Sequence, residues 1–488
     1  MRWLYELLLA LFGFGPVASK RPEPQPVALR LSPHDVVTLG DACEGVLVLG
    51  GTGSGKTSGP GFHLACNLLR LGCGFLVLSA KEDEARRWLH LCEVTGRSGD
   101  VEMWGPGHPH AFDFLMYELA QNGPDSAGYL LDQLVELTNR TGGKESEPFW
   151  SMTAQRLLRA VLHVLMASRG PFSVMDIMAF LRTMPADRRE AESAGWRENS
   201  FAGQELAAAE KKAGDSLDLK LAKGYLLQEH IGMTDKTRVV VEVVVANTLA
   251  QLVSGPFAPL ISGGRCTITP DALFGGKVII LDGSYLKFKE PARFAQICWK
   301  LSTQRAVLGR AVTPESRPVV IWQDEYQLFS LPSNDCMVQS VARSQKLVSV
   351  MLSQSYPVLV AALGKSERAQ VEVQALAGNM LTRIFCQNSC PETNRAASEL
   401  IGESLQHQFT FSSKREQYDL WEDLTRGGKA AEFSFREEHQ PECRPSVFPR
   451  LLKGGARNRG VVTAVCHLGR VLSNGKTWME AEFLQEGF

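Results

Sequence analysis

Among eleven cysteines the chain has no Cys-x-x-Cys pair, and this excludes a zinc cluster of ordinary ligand spacing. The closest pair, Cys386 and Cys390, has no second Cys or His cluster beside it, and His108 and His110 flank Pro109 in what reads as a loop. An odd, scattered set of this kind is expected to be reduced thiols in the cytosol. The chain also lacks a strong charge of either sign. A formal net charge of −1 excludes a generally basic nucleic-acid coat, though it leaves room for a local basic surface. There is no internal repeat and no low-complexity tract. The longest apolar stretch at the start, Trp3 to Val17, carries Glu6 and falls short of the roughly 20 residues that a spanning helix needs. It reads as an interfacial or partner-docking helix or the remnant of an anchor. A signal peptide also fits its length and the Met1-Arg2 start.

What is present is an ordinary globular composition, 44% apolar and 22% charged, in a chain of 488 residues, too long for one compact core. Pro16, Pro22, Pro24 and Pro26 make an extended linker, so the folded body is expected to begin near Leu31. Short β-branched runs then recur at Val46 to Leu49, Phe75 to Leu78, Val278 to Leu281, Val319 to Trp322, Val348 to Leu352 and Thr382 to Phe385. Helical patterns lie between them, and this alternation predicts an α/β fold with a mostly parallel sheet. From Pro124 to Val240 the pattern is almost purely helical. Leu157, Leu158, Val161, Leu162, Leu165 and Met166 form one apolar stripe. Ser173 and Asp176 cap a second one of Val174, Ile177, Met178 and Leu181, both stripes being core packing. Asp187 to Lys223, rich in Ala, Glu, Lys and Arg, reads as an exposed helical excursion. The expected domains are residues 1–30 (apolar segment and linker), 31–123 (first part of the α/β domain), 124–240 (inserted all-α domain) and 241–488 (second part of the α/β domain and a C-terminal segment).

The chemistry starts at Gly50-Gly51-Thr52-Gly53-Ser54-Gly55-Lys56-Thr57, which fits G-x-x-x-x-G-K-[ST] between a strand-like run and a helical one. Glycines let backbone N–H groups turn toward phosphates, Lys56 reaches β and γ oxygens, and Thr57 offers a hydroxyl to Mg²⁺ at a helix N-terminus. Pro60, early in that helix, predicts a local kink. The run Val319 to Trp322 leads into Asp324-Glu325: Asp324 would hold the Mg²⁺ hydration shell and Glu325 would polarise the attacking water. Gln354, after the next strand-like run, is placed to sense a γ-phosphate or orient water. Arg343 is read either as a finger reaching a neighbouring subunit's nucleotide or as a surface salt bridge.

Together these residues resemble the type IV secretion coupling proteins, the TraG and TraD group of the HerA and FtsK superfamily, over nearly the whole folded chain. The phosphate loop matches theirs, Pro148-Phe149-Trp150 resembles their Phe-Trp motif, and Asp324-Glu325-Tyr326 resembles their Asp-Glu-aromatic block. Arg343 and Gln354 stand where that family has its finger and sensor, and Glu392-Thr393 through Gly402 resembles a later block. The chain departs from the family after the second strand, with Ser79-Ala80-Lys81-Glu82-Asp83 for Asp-x-Lys-Gly-Glu, and at Asp113-Phe114-Leu115 for Asn-Pro-Leu. It also shows only the short apolar start where the family has a pair of membrane helices. The resemblance implies a RecA-like P-loop NTPase domain with an inserted all-α domain. It further implies a homo-hexameric ATPase using ATP and Mg²⁺, and DNA or a relaxase as cargo for a type IV secretion channel. Such a protein is expected in the cytoplasm at the inner face of the cell membrane, with peripheral contact through residues 3–17. Two other readings stay open: an effector-recruitment hub that uses nucleotide as an assembly switch, and a related DNA motor in genome defence or mobile-element maintenance. Between Arg444 and Lys476, Arg450, Lys453, Arg457, Arg459 and Arg470 follow one another with no acid, a run that suits either phosphate backbones or a solvated face.

Overall fold

The computed structural model describes residues 26–141, 148–214, 216–412 and 432–487. The apolar start lies outside them. The first element described is β1 (Val27–Arg30), which starts four residues ahead of Leu31, pairs antiparallel with β2 (Val36–Thr38) and so buries Leu29 and Val37.

The centre is a nine-stranded sheet. Its parallel members are β3 (Val46–Leu49), β4 (Gly74–Leu78), β5 (Val101–Trp104), β6 (Val278–Leu281), β7 (Val319–Gln323), β8 (Leu347–Ser353) and β9 (Thr382–Phe385). After the ribbon of β10 (Glu403–Ser412) and β11 (Glu432–Pro441), β12 (Val461–His467) and β13 (Trp478–Leu484) join antiparallel beside β9. The order across the sheet is β13-β12-β9-β3-β8-β7-β4-β6-β5. All six β-branched runs fall in the parallel part.

Those runs are continuously apolar because both faces of the sheet are covered. Successive side chains point to opposite faces, so Phe75 and Val77 enter one core while Leu76 and Leu78 enter the other. The second core is shared with the helices that separate β5 from β6. Among the described residues that stretch holds no strand, and helix Asp235–Leu252 runs across position 240. Its first helix, Phe114–Thr141, is broken at Gly123, whose φ of 76° precedes Pro124. On helix Pro148–Arg169, Leu157, Leu158, Val161, Leu162 and Leu165 are wholly buried. Each such burial is worth about 1.5–3 kcal/mol, so a charge at Val161 would unseat the helix. Helix Val174–Arg182 begins with the reciprocal bonds expected between Ser173 and Asp176. The stretch read as an exposed excursion forms several short helices that bury Trp196, Ala202, Leu206 and Ala209. Most of its charges lie on outer faces, while Glu205 is buried against Ser168 and Arg169. Among the described residues no single helix is long and apolar enough to cross a membrane.

Candidate functional site

Parallel strands bring their C-terminal ends to one edge of the sheet, where loops can converge. Leu49 pairs with Ser353 and Phe385, and Gln323 with Leu78, so the loops after β3, β4, β7, β8 and β9 emerge side by side. One strand, β8, separates the phosphate-loop strand β3 from the acidic strand β7, and Gln354 follows it between them.

The glycine loop is anchored to this edge. Gly50 N donates to Ser353 O at 3.2 Å and Gly51 N to Gln387 O at 2.9 Å. Gly53 and Gly55 take φ values of 70° and 82°, open to glycine and strained for other residues. The kink predicted at Pro60 is a widened turn over Thr57–Gly61. Proline has no N–H to offer Lys56 O, and Gly61 N makes that bond instead, at 3.0 Å. A Cβ on Gly61 would sit 2.8 Å from the same oxygen, so the turn excludes a side chain there.

Across the edge, Thr57 Oγ1 donates to Asp324 Oδ2 at 2.9 Å. Lys56 Nζ lies 4.0 Å from Glu325 Oε1, and Lys81 Nζ lies 3.3 Å from the same oxygen. The other carboxylate oxygen of Glu325 accepts from Gln327 at 2.7 Å and from Gln354 at 3.4 Å. Burial pushes the Glu325 carboxyl up, but Lys56, Gln327 and Lys81 outweigh it and hold the pKa below the ordinary value. Glu325 is therefore an anion at neutral pH. Burial pulls the Lys81 ammonium down, and Asp324, Glu325 and Glu84 reverse that, so it stays charged. Glu325 is also one of few non-glycine residues with positive φ, at 52°.

The loop, Lys56, Thr57, Asp324, Glu325 and Gln354 thus share one edge of the sheet. Arg343 does not join them. It pairs with Glu44 ahead of β3, with its side chain 70% exposed. The four residues of β3 put it about 13 Å or more from the loop edge of its own chain. Phe149 is half exposed while Trp150 packs on the core. Of the C-terminal basic residues, Arg470 pairs with Asp41 at 3.5 Å and Lys476 with Glu442 at 3.1 Å. Acids distant in sequence thus take up part of that run.

Sequence reasoning assigned no role to Lys81, Glu84, Arg87 or the chain's last strand. Glu84, at the head of helix Glu84–Val94, accepts from Ala80 N at 2.6 Å. Burial, with Asp324 nearby, pushes its carboxyl up to about 8. Arg87 donates to Thr57 O and to Glu486, each at 2.8 Å. Glu486 N and Gln485 Nε2 in turn hold Ser58 O and Ser58 Oγ, both at 2.8 Å. The available signal was the position of Lys81 directly after a central parallel strand, an edge where sites form.

Thr57 and Asp324 fit a magnesium ion. They are adjacent hard oxygens, too few to enclose an ion that keeps most of its own water. Fold and site together define a RecA-like P-loop NTPase with an inserted all-α domain.

No protein-family model and no curated protein matches the sequence. Solved structures do match. The bacterial conjugative coupling protein TrwBdeltaN70, in its unbound monoclinic form, is 14% identical with a TM-score of 0.62, covering 96% of this chain and 91% of its own. The plasmid coupling protein TrwB with the non-hydrolysable ATP analogue ADPNP is 16% identical with a TM-score of 0.60, over 96% and 91% of the two chains. With ADP and Mg²⁺ the values are 15% and 0.59, over 92% and 87%. The likeness to coupling proteins read from the motifs therefore extends to the whole fold.

Proposed function

We propose that this chain is an ATP-hydrolysing motor of the coupling-protein kind, which forms a hexameric ring and delivers DNA or a DNA-bound relaxase to a type IV secretion channel. One observation carries the ATPase reading: Thr57 Oγ1 meets Asp324 Oδ2 at 2.9 Å, beside the pairing of Lys56 with Glu325. Loop N–H groups and Lys56 bind the phosphates. Magnesium, held by Thr57 and by Asp324 through water, would neutralise charge on the β and γ oxygens. Glu325 accepts the proton of the attacking water, and Gln354 and Gln327 fix the orientation of its carboxylate. The ADPNP and ADP–Mg²⁺ complexes of the structurally similar TrwB support Mg-ATP as the substrate.

Arg343 supports the ring reading: it is exposed and lies away from the phosphate loop of its own chain, so as a finger it would serve the nucleotide of a neighbouring copy. The exposed cations Lys453, Arg457 and Arg459 are available for a phosphate backbone. Residues 3–17 would supply a peripheral contact at the inner face of the membrane.

The test is ATPase activity with no DNA, single-stranded DNA and double-stranded DNA, beside Lys56→Ala, with oligomer size recorded. The expected result is hydrolysis that DNA stimulates and that Lys56→Ala abolishes. Hydrolysis indifferent to both DNAs would instead favour recruitment of protein effectors.

A further inference from the structure

Tyr326, peptide-bonded to Glu325, is wholly buried, and its hydroxyl donates to Asp335 Oδ2 at 2.6 Å. Asp335 lies on helix Pro332–Val341, itself wholly buried. The same oxygen accepts from Lys300 Nζ at 2.6 Å and from Leu331 N at 3.2 Å, and Oδ1 accepts from Gln304 Nε2 at 2.9 Å. The series continues outward. Gln304 Oε1 accepts from Asn334 Nδ2 at 2.8 Å, and Asn334 Oδ1 accepts from Tyr129 OH at 2.8 Å. Tyr129 belongs to the part of helix Phe114–Thr141 beyond the Gly123 break, which leads into the all-α insertion. Arg305 stacks 5.3 Å from its ring centroid and pairs with Glu118 at 3.3 Å.

Each amide in this series accepts through its oxygen and donates through its nitrogen, so every donor runs toward Asp335. Bonds aligned in this way polarise one another in a buried setting. Stability alone is a poor reason for such a network, since a buried ion pair gains little over apolar packing. Its attachment gives a better one. Glu325 holds φ 52°, ψ 50°, a conformation that persists in a non-glycine residue only where its surroundings over-determine it. The anchored Tyr326 ring supplies that constraint on one side.

Building on the ATPase reading, we infer that Asp335 is a positioning residue for Glu325, and that Asp335, Gln304, Asn334 and Tyr129 form a strut that transmits the setting of the all-α insertion to the catalytic carboxylate. Neither end of the strut touches substrate. Its effect is on where Glu325 sits.

The test uses Tyr326→Phe, Tyr129→Phe and the double variant of the full chain, each losing only a hydroxyl. Turnover, nucleotide affinity and melting temperature are measured for all three. Misplacing a catalytic group is costly, and Tyr326→Phe should lower kcat by about tenfold with nucleotide Kd unchanged. Tyr129→Phe should lower it by about threefold, a smaller effect from the far end. In the double variant kcat should stay near that of Tyr326→Phe alone, while the shifts in melting temperature add. Unchanged kcat in Tyr326→Phe, or losses that multiply as at independent sites, would overturn the strut and leave the ATPase reading intact. If the wild type shows no Lys56-dependent hydrolysis, the ATPase reading fails first and the strut goes with it.

Discussion

Replacing Glu325 with Gln should separate binding from chemistry. The change removes one anion that lies 4.0 Å from Lys56 and 3.3 Å from Lys81. At an effective dielectric of about 20, two unit charges 4 Å apart attract by roughly 4 kcal/mol. Desolvation and the partial exposure of Lys81 cancel most of this, and about 1 kcal/mol remains as the cost of drawing Lys56 onto a phosphate in the wild type. Glu325→Gln should therefore bind Mg-ATP as well as the wild type or about fivefold more tightly, since 1.4 kcal/mol is tenfold. Loss of the base should slow hydrolysis by about 10²–10⁴-fold. Single-turnover hydrolysis with radiolabelled ATP, beside titration of a fluorescent nucleotide, reads both quantities. Hydrolysis within about threefold of wild type would refute Glu325 as the base, because no base contributes so little. Affinity falling together with rate would instead show that Glu325 holds the pocket together.

Lys56→Ala should lose both nucleotide affinity and turnover, unlike Glu325→Gln, when the same two assays are run. Gly61→Ala drives a Cβ to within 2.8 Å of Lys56 O, and overpacking of that kind should cost about 1–3 kcal/mol, read by denaturant unfolding. Arg343→Ala, mixed with wild type, should depress ATPase activity by more than dilution accounts for, whereas strictly proportional loss would deny it a role between subunits. Glu84 titrates near 8 when folded against 4.5 ordinarily, so its contribution to stability is full below about 4.5 and is lost as the pH rises through 8. Glu84→Gln, free of nucleotide and Mg²⁺, should melt close to wild type at the acid end and above it at pH values beyond 8.

The parallel sheet was legible because a strand covered on both faces must be apolar throughout, as Val46 to Leu49 and Val278 to Leu281 are. β5 escaped notice because Glu102 interrupts it at the sheet's edge, where a polar side chain finds Lys277 and His110. β13 has one face turned to solvent, and its alternation of Glu480, Ala481, Glu482 and Phe483 is too short to stand out. At the site, the meeting of Lys56 and Thr57 with Asp324 and Glu325 was legible because local spacing marks each pair as one that belongs at a strand end. Lys81 was not, since its partner Glu325 follows another strand, nor was the place of Glu84, which is set by burial and by Asp324 nearby. The strut is an extreme case. Gln304 and Asp335, with Lys300 beside them, come from two separate helices, and nothing local shows that folding will bring them together.

The clasp on Ser58 bears on the order in which the protein is made. Its partner Gln485 lies 427 residues further along the chain. At about 5–20 residues per second a ribosome needs on the order of half a minute or more to reach it. Throughout that interval the nascent phosphate loop has neither Gln485 nor Glu486 to brace it, so the loop takes its final setting only after every strand of the nine-stranded sheet has been made.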